Sequence, residues 1–528
     1  MRSSWERFQR YSYSFSSVGI RLDISRMNFE EPWLETMSVP LKAVFAQMGE
    51  LESGALANPD EQRMVGHYWL RNSALAPTPE IAAMIEEAIS RIQTFAQRIH
   101  EQQIRSEQNL PFQHVLLIGI GGSVLGPQLS HRVFLSSQNP LKFHFLDNTD
   151  PEGIHLILDL LKDFLAQTLV IVISKTGKTK ETRNCVLEVQ DAYQKQELRF
   201  GAHAIAITQP NSDLEQLAQQ EQWLARFPLW DWVGGRTSIT SSVGLLQAAL
   251  QGVNIDEFLQ GCKVMDDLTR NPSLAQNPAA LLALMWLHTQ SSSSPKDMVI
   301  LPYKDRLEWF GRYLQQLVME SLGKETDLTG KPIHAGIVVY GNKGSTDQHA
   351  YVQQLREGPN NFFVTFIEIL KDQEGQGLAV EPRITSGDYL NSFLLGTREA
   401  LSEKNRESLT ITLEALTPKT FGGLLALFER AVGFYALLIH INAYHQPGVE
   451  AGKRAANRIL EIQGQLLTWL EKHPQQTFTI DQLHSALKLS EQQELIFKIL
   501  EHLSTNQRVY RVSLKTSPFE CSYQWKGE

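Results

Sequence analysis

The sequence has little of what marks a disulfide-stabilised or nucleic-acid-binding protein. Its three cysteines, among 528 residues, lie far apart and form no CxxC pair, which argues against a disulfide framework and a thiolate metal site. Positive charge is also in deficit, because 49 lysines and arginines stand against 58 aspartates and glutamates, for a formal net charge of −9. No global cationic field exists to hold nucleic acid or an anionic membrane, so an anionic ligand must meet a local pocket.

Long uninterrupted apolar runs are missing as well. The N-terminal residues interleave charged and aromatic side chains and lack the apolar core of a signal peptide, so we expect mature sequence. The longest apolar stretch, 421–444, is interrupted by Glu429 and Arg430 and therefore predicts a buried helix rather than a membrane span. Together with the cysteine usage, these absences predict a cytoplasmic protein that binds neither membrane nor nucleic acid.

The chain does have enough apolar material for several packed domains, with 42% hydrophobic and 20% charged residues. One set of β-rich runs covers 114–120, 142–146, 169–173 and 203–207, and a second covers 298–301, 336–340, 362–369 and 409–413. Helical patterns separate these runs, which predicts right-handed crossovers and parallel sheets covered on both faces. The predicted fold class is α/β, with two tandem doubly wound parallel sheets, a helical N-terminal segment and a small C-terminal α+β tail.

Composition and periodicity also place the domain boundaries. We predict a mainly helical segment over 1–87, an α/β domain over 88–260, a connection over 261–295, a second α/β domain over 296–455 and a tail over 456–528. In the tail, helical patterns run to 472 and over 479–487 and 491–503, before a β-like run over 508–514. That order resembles a winged helix, but Glu491, Glu494 and Glu501 outnumber Lys498, which favours an interaction or packing role over DNA binding.

Two loops that follow strands of the first α/β domain have the composition of anion sites. The glycine-rich turn at 119–123 should open a helix and let backbone amides approach an anion, although a tight structural turn is an alternative. The loop at 174–182 carries Ser174, Thr176 and Thr179, which suit a phosphate; a Ser/Thr helix cap without a ligand is the alternative. Both loops lie at the carboxyl edge of one sheet, where open α/β sheets bind ligands, and this favours a phosphate site.

Six sequence blocks then occur in a fixed order. They are GIGGSVLGP at 119–127, SKTGKTKET at 174–182, GGRTSITSSVGL at 234–245, QQLVMESLGK at 315–324, GSTDQHAYVQQL at 344–355 and YHQPGVEAGK at 444–453. Together they span most of 115–455, and their order resembles the phosphoglucose isomerase family. The resemblance implies two sugar-isomerase domains and an enzyme without cofactor or metal. Such an enzyme interconverts D-glucose 6-phosphate and D-fructose 6-phosphate through a cis-enediolate, in glycolysis and gluconeogenesis.

The same resemblance implies the catalytic residues. Glu320 is expected to be the general base that moves a proton between carbons two and one, and Arg236 the cation that faces the enediolate. A structural salt bridge is the competing role for Arg236. His349 and Lys453 are expected to share the opening of the sugar ring. In the family this histidine comes from the neighbouring subunit, so a homodimer is implied by the resemblance alone.

A substrate-binding set is implied in the same way. It comprises Gly122, Ser123, Ser174, Lys175, Thr176, Thr179, Gln316 and Gln446. One departure is His445, because the family commonly has Asp at this place, and the local hydrogen bonding must differ. Two alternatives to the dedicated isomerase are a non-catalytic sugar-phosphate sensor and an isomerase that also accepts mannose 6-phosphate. The presence of the base Glu320 favours the enzyme over the sensor.

Overall fold

The computed structural model describes residues 4–291, 294–489, 492–512 and 519–527, and the chain divides into two compact units, Met1–His445 and Gln446–Glu528. The first unit begins with α1 (Ser4–Tyr11), β1 (Ser12–Phe15), β2 (Ile20–Arg26), α2 (Glu31–Thr36) and α3 (Ser38–Glu52). Strands β1 and β2 form an antiparallel hairpin that the helical prediction for this segment did not contain. The hairpin forms because Ile20, Leu22 and Ile24, two residues apart, are buried on the same strand.

The first sheet is parallel throughout and is covered by helices. Its elements are α4 (Pro79–His100), β3 (His114–Ile118), α5 (Gly122–Val133), β4 (Lys142–Leu146), α6 (Pro151–Leu161), β5 (Thr168–Ile173), α7 (Lys180–Lys195), β6 (Ala204–Thr208), α8 (Asp213–Gln220) and β7 (Ala225–Pro228). The strand order is β4-β3-β5-β6-β7. The four strands predicted here are confirmed. Strand β7 was not predicted, because its sequence Ala-Arg-Phe-Pro has no alternating or continuous apolar pattern.

Three helices follow and pack in the interior of the first unit. They are α9 (Ser242–Leu250), α10 (Ile255–Thr269) and α11 (Pro278–Gln290). The predicted connection over 261–295 therefore contains much of α10 and all of α11, whose residues 279–286 are completely buried. Helices α10 and α11 of this segment contribute to the hydrophobic core, whereas 272–276 between them are mostly exposed and 292–293 lie outside the described residues.

The second sheet contains a parallel core with the N-terminal hairpin at one edge. Its region comprises β8 (Asp297–Pro302), α12 (Phe310–Leu314), the π-helical turn Gln315–Glu320, β9 (Lys324–Thr326), β10 (Pro332–Ala335), β11 (Val339–Tyr340), α13 (Val352–Glu357), β12 (Phe362–Ile369), β13 (Ala379–Glu381), β14 (Ile384–Thr385), α14 (Ser386–Ser402), β15 (Ser408–Leu413) and α15 (Pro418–Leu438). The strand order is β1-β2-β15-β12-β8-β11, and β2 runs antiparallel to β15. The predicted strands are present, although the one expected over 336–340 is reduced to β11.

Helix α15 is long and apolar enough to cross a membrane, yet 89% of its most apolar window is buried inside the protein. Glu429 and Arg430, the charged residues that interrupt its apolar stretch, are also buried and have polar partners. Tyr313 donates a hydrogen bond to Glu429 at 3.2 Å, and Arg430 Nε donates one to Thr269 Oγ1 at 2.7 Å. The prediction of a buried core helix is confirmed.

The second unit has its own small apolar core, centred on Leu466, Leu483 and Leu500. Its elements are α16 (Pro447–Lys472), β16 (Phe478–Thr479), α17 (Ile480–Leu487), α18 (Gln493–Thr505), β17 (Val509–Arg511) and β18 (Ser522–Trp525). The strands form an antiparallel sheet in the order β16-β18-β17. This succession of elements has the layout of a winged helix. Glu491, and residues 513–514 of the predicted final strand, lie outside the described residues.

Candidate active site

The glycine-rich turn after β3 brings together three parts of the predicted site. Gly121 has a φ of +58°, a conformation that favours glycine, and a Cβ on it would lie 3.2 Å from Gln316 Nε2. A Cβ on Gly122 would lie only 2.1 Å from the carbonyl oxygen of Gly235, so no other residue fits there without movement. Ser123, in the first turn of α5, has no hydrogen-bond partner for its hydroxyl among the described residues.

The loop between β5 and α7 has the geometry of a phosphate cradle. Ser174 Oγ accepts a hydrogen bond from the Gly177 amide at 3.1 Å and donates one to Thr179 Oγ1 at 3.4 Å. Thr179 is the N-cap residue of α7, but within the described chain its side chain makes no capping hydrogen bond. The first amides of α7 therefore stay available to an anion, which weakens the alternative of a simple helix cap. Thr176 is exposed beside them.

Lys175, which was predicted to bind substrate, uses its amine in contacts within the protein. Its amine donates hydrogen bonds to the carbonyl oxygens of Asp231 at 2.7 Å and Val233 at 3.0 Å. Burial, with a smaller contribution from the nearby guanidinium of Arg63, lowers the pKa of Lys175 to about 8. The side chain therefore fastens the phosphate cradle to the segment that leads into Arg236, and it does not point a free amine at a ligand.

Arg236 is held in one position by three acceptors. It lies in the 3₁₀-helical turn Gly235–Thr240 and is 6% exposed. Nη2 donates to the carbonyl oxygens of Ala443 at 2.9 Å and His445 at 3.2 Å, while Nη1 lies 3.2 Å from Glu320 Oε1. Burial lowers the pKa of Arg236, and the carboxylate of Glu320 acts in the opposite direction. The guanidinium is thus a fixed cation beside the predicted base.

Glu320 ends the π-helical turn and has one unused oxygen. Its side chain is 22% exposed, and Oε2 is buried with no hydrogen-bond partner among the described residues. Lys324, one helical turn later, donates to the backbone carbonyls of Glu320 at 2.8 Å and Ser321 at 2.7 Å. Burial lowers the pKa of Lys324 to about 8, with a further contribution from Arg236. Sequence reasoning missed Lys324, although its place four residues after Glu320 was a signal.

His349 lies at the surface, at the end of the 3₁₀-helical turn Thr346–His349. The loop that carries it is ordered by the buried carboxylate of Asp347. This carboxylate accepts hydrogen bonds from the Asn342 amide at 2.8 Å, the Lys343 amide at 3.1 Å and the Tyr351 hydroxyl at 2.6 Å. Within the described residues, the His349 side chain makes no hydrogen bond or ion pair, and it is exposed on the surface of the first unit.

The remaining two predicted site residues belong to the second unit. Gln446 immediately precedes α16, and Lys453 lies in the second turn of that helix. Lys453 Nζ is 2.8 Å from Glu450 Oε1, and both side chains are more than half exposed. Their roles in substrate binding and ring opening stay predictions.

The geometry of the first unit limits what this site can do. It provides hydroxyls and free amides for a phosphate, and next to them a carboxylate with an unused oxygen beside a fixed guanidinium. That combination suits proton abstraction from carbon with stabilisation of the anion that forms. Among the described residues, no group of three or more His, Cys, Asp or Glu side chains is arranged to hold a metal ion.

Comparison with protein families identifies the chain. The model of the phosphoglucose isomerase family matches residues 24–468. The chain belongs to the phosphoglucose isomerase family. The resemblance carried by the six sequence blocks is thereby confirmed, and the phosphoglucose isomerase match extends into α16, which carries Lys453.

Several phosphoglucose isomerases are similar to this chain over nearly their whole length. The glucose-6-phosphate isomerase of Geobacter sulfurreducens is 55% identical over 503 residues, which are 95% of each chain. That of Desulfitobacterium hafniense is 53% identical over 504 residues, which are 96% of this chain and 95% of its own. The crystal structure of a glucose-6-phosphate isomerase from Chlamydia trachomatis superposes with a TM-score of 0.78 at 28% identity, covering 87% of this chain and 91% of its own. The predicted α/β fold class is confirmed.

Proposed function

We infer that this phosphoglucose isomerase interconverts D-glucose 6-phosphate and D-fructose 6-phosphate, a step of glycolysis and gluconeogenesis. The observation that carries the inference is the pair formed by Glu320 and Arg236. One carboxylate oxygen lies 3.2 Å from the guanidinium, and the other is buried without a partner. An aldose–ketose isomerase needs a base of this kind, because it must move one proton between adjacent carbons.

The reaction divides between these two side chains. Glu320 takes the proton from carbon two of the open-chain aldose through its unused oxygen and returns it to carbon one, which completes the isomerisation. Negative charge develops on the cis-enediolate between the two steps. Arg236, whose position is set by the carbonyls of Ala443 and His445, stabilises that charge more than it stabilises the substrate.

The cradle between β5 and α7 holds the phosphate group of the sugar. Ser174, Thr176 and Thr179 offer hydroxyls, and the uncapped amides of α7 offer further donors. Ser123 and the backbone of Gly122 reach the same edge of the sheet from the glycine-rich turn. Gln316, whose amide lies against Gly121, orients the sugar between cradle and base. Phosphate binding thus fixes the carbon chain relative to Glu320.

Ring opening is assigned to the residues outside this pair. We propose that His349 serves the site of a neighbouring copy in a homodimer, and its exposed position on an ordered loop supports this. Lys453 contacts the ring oxygen and Gln446 the sugar, as the family resemblance implies. We also propose a cytoplasmic location, because the three cysteines, all buried, are unpaired.

The deciding experiment measures fructose 6-phosphate formed from glucose 6-phosphate by the full chain. The assay contains a chelator, and mannose 6-phosphate is run in parallel. We expect chelator-resistant turnover of glucose 6-phosphate alone. Turnover of both sugars would support the broader isomerase. Sugar-phosphate binding without turnover would contradict the proposal and establish the non-catalytic sensor.

A further inference from the structure

A cavity lined by arginines lies at the edge of the second sheet where its parallel strands begin. Open α/β sheets bind their ligands at the other edge, where the strands end. The volume of the cavity is about 610 Å³, and Arg7, Arg26, Arg398 and Arg406 line it. Arg26 pairs in the sheet with Ser408, the first residue of β15, which places the cavity where the parallel strands begin. We call it the arginine cavity. None of its lining residues belongs to the site described above.

Two of the four arginines have carboxylate partners. Arg26 Nη2 lies 2.9 Å from Glu399 Oε2, and Arg398 Nη1 lies 3.5 Å from Asp23 Oδ2. Arg398 is nevertheless crowded by positive charge: burial lowers its pKa, and the neighbouring guanidinium of Arg26 lowers it further. Its Nε is buried and has no hydrogen-bond partner among the described residues. The two ion pairs therefore leave the Nε donor of Arg398 unused.

The other two arginines are held by uncharged acceptors. Arg7 donates to the carbonyl oxygens of Ser25 and Met27, both at 2.7 Å. Arg406 donates to the carbonyl oxygen of Gly358, and its Nε is buried without a partner. Within the described residues, no carboxylate lies within 4 Å of either guanidinium.

Acidic residues offset only part of this charge, because Glu399 and Asp23 pair with two of the four arginines. The acidic residues that line the cavity are Glu399 and Glu403, and Glu403 is already paired with Arg356, at 2.7 Å. The four arginines that line the cavity therefore outnumber its two carboxylates, and the guanidinium groups of Arg7 and Arg406 have no carboxylate partner. Planar guanidinium groups bind phosphate oxygens through pairs of hydrogen bonds, so the charge and geometry select a phosphorylated ligand.

An aromatic platform stands at the rim of the same cavity. Trp5 is 61% exposed, and one of its faces stacks on Phe8 with a centroid distance of 5.7 Å. Exposed tryptophan of this kind stacks on planar heterocycles, whereas a sugar phosphate has no such ring. The volume is also in the range of sites that hold a ligand larger than a monosaccharide phosphate.

We propose that the arginine cavity binds a nucleoside polyphosphate, with the phosphates on the four arginines and the base on Trp5. The proposal is independent of the isomerase reaction, because the cavity shares no residue with the cradle or with Glu320. A nucleotide bound here contacts the N-terminal helix α1, the hairpin strand β2 and the end of α14 at once. Binding would therefore add to the contacts that already join the N-terminal segment to the second sheet.

The test is calorimetric titration of the full chain with adenosine triphosphate, with and without saturating fructose 6-phosphate. We expect one site per chain, retained when the sugar phosphate is present. Arg398→Gln should weaken binding at least about tenfold, because it removes a charge-assisted phosphate contact. Trp5→Ala should weaken it about threefold or more by removing the stacking surface. Trp5 is exposed, so this variant keeps the core intact even if Arg398→Gln does not fold.

Arg91→Gln is the matched control, because Arg91 lies outside the arginine cavity and donates to a backbone carbonyl. Its affinity should equal that of the unchanged protein. Tripolyphosphate and adenosine are titrated separately. Equal affinity for tripolyphosphate and adenosine triphosphate would overturn the part assigned to Trp5. Loss of binding with fructose 6-phosphate, or in Ser174→Ala/Thr176→Ala, would place the nucleotide in the cradle and overturn the proposal. Absence of binding at millimolar concentration would do the same.

Discussion

Two glutamates of the first unit, Glu407 and Glu320, differ in how fully their carboxylates are bonded. Glu407, just before β15, is 4% exposed and its carboxylate has three partners. The Asn28 amide donates to it at 2.7 Å, Lys296 Nζ at 2.7 Å, and His288 Nε2 lies at 3.1 Å. Burial alone raises the pKa of Glu407, but these donors outweigh it and lower the pKa to about 2.

Glu320 is more exposed than Glu407, with 22% of its side chain accessible against 5%, and it has fewer polar partners. Among the described residues its one polar side-chain partner is Arg236, and its second oxygen is buried and unbonded. A carboxylate whose lone pairs are all used cannot take a proton from carbon, whereas one with a free oxygen can. The two carboxylates thus differ both in exposure and in the number of donors around them, and both differences suit Glu320 to the proposed role of general base.

The sharpest test of this comparison is Glu320→Gln. The change is nearly isosteric and removes the ability to accept a proton, so we expect kcat to fall at least about a hundredfold while sugar phosphate still binds. Steady-state kinetics and the free energy of unfolding are measured on the same preparation, and the latter should not fall. Turnover close to that of the unchanged enzyme would refute the assignment of the base.

The reciprocal variant is Glu407→Gln, which we expect to lose stability without losing chemistry. The folded-state pKa is about 2 and the ordinary value is 4.5, so the carboxylate stabilises the fold above pH 4.5 and loses this effect as the pH falls toward 2. At pH 7 the variant should be less stable by about 2–3 kcal/mol, and the difference should shrink below pH 4.5. Urea unfolding across this range measures it. If kcat per folded molecule fell as much as in Glu320→Gln, the distinction between a structural Glu407 and a catalytic Glu320 would be contradicted.

A third test concerns the cradle rather than the base. Ser174→Ala with Thr176→Ala removes two hydroxyl donors, and each charge-assisted hydrogen bond contributes about 1.5–3 kcal/mol, so KM should rise about a hundredfold or more. The effect on kcat should be smaller, because these groups bind the phosphate equally before and during the reaction. An unchanged KM would show that the phosphate of the sugar binds outside the cradle.

The smallest expected effect comes from Lys175→Met. This variant keeps the length of the side chain but releases the carbonyls of Asp231 and Val233, so the cradle is less firmly joined to the segment before Arg236. We expect a rise in KM of about threefold, typical of a lost positioning contact. Lys178→Met is the control, since Lys178 lies in the same loop and is exposed. An identical effect of both variants would point to general electrostatics instead.

Much of the fold could be predicted because it depends on the pattern of apolar and polar residues that are near one another in the sequence. The central strands β3, β5, β8 and β12 follow apolar runs, and the cradle lies within one block of neighbouring residues. Long-range packing could not be predicted in the same way. Nothing near Gly122 indicates that Gly235 contacts it, and the direction of the Lys175 side chain depends on carbonyls in a different loop. Strand β2 was missed for the same reason, because its partner β15 lies near the other end of the first unit.

The pairing of β2 with β15 also has a consequence for synthesis on the ribosome. The strands of the first sheet follow one another closely along the chain and can assemble soon after they emerge. Strand β2, by contrast, cannot pair until its partner β15 (Ser408–Leu413) has been synthesised. At roughly 5–20 residues per second, synthesis of the chain between them takes about 20 s or longer. During that interval the hairpin has an open edge that could pair with another nascent chain. Mutations in β15 should therefore reduce the yield of folded protein more than comparable mutations in β3.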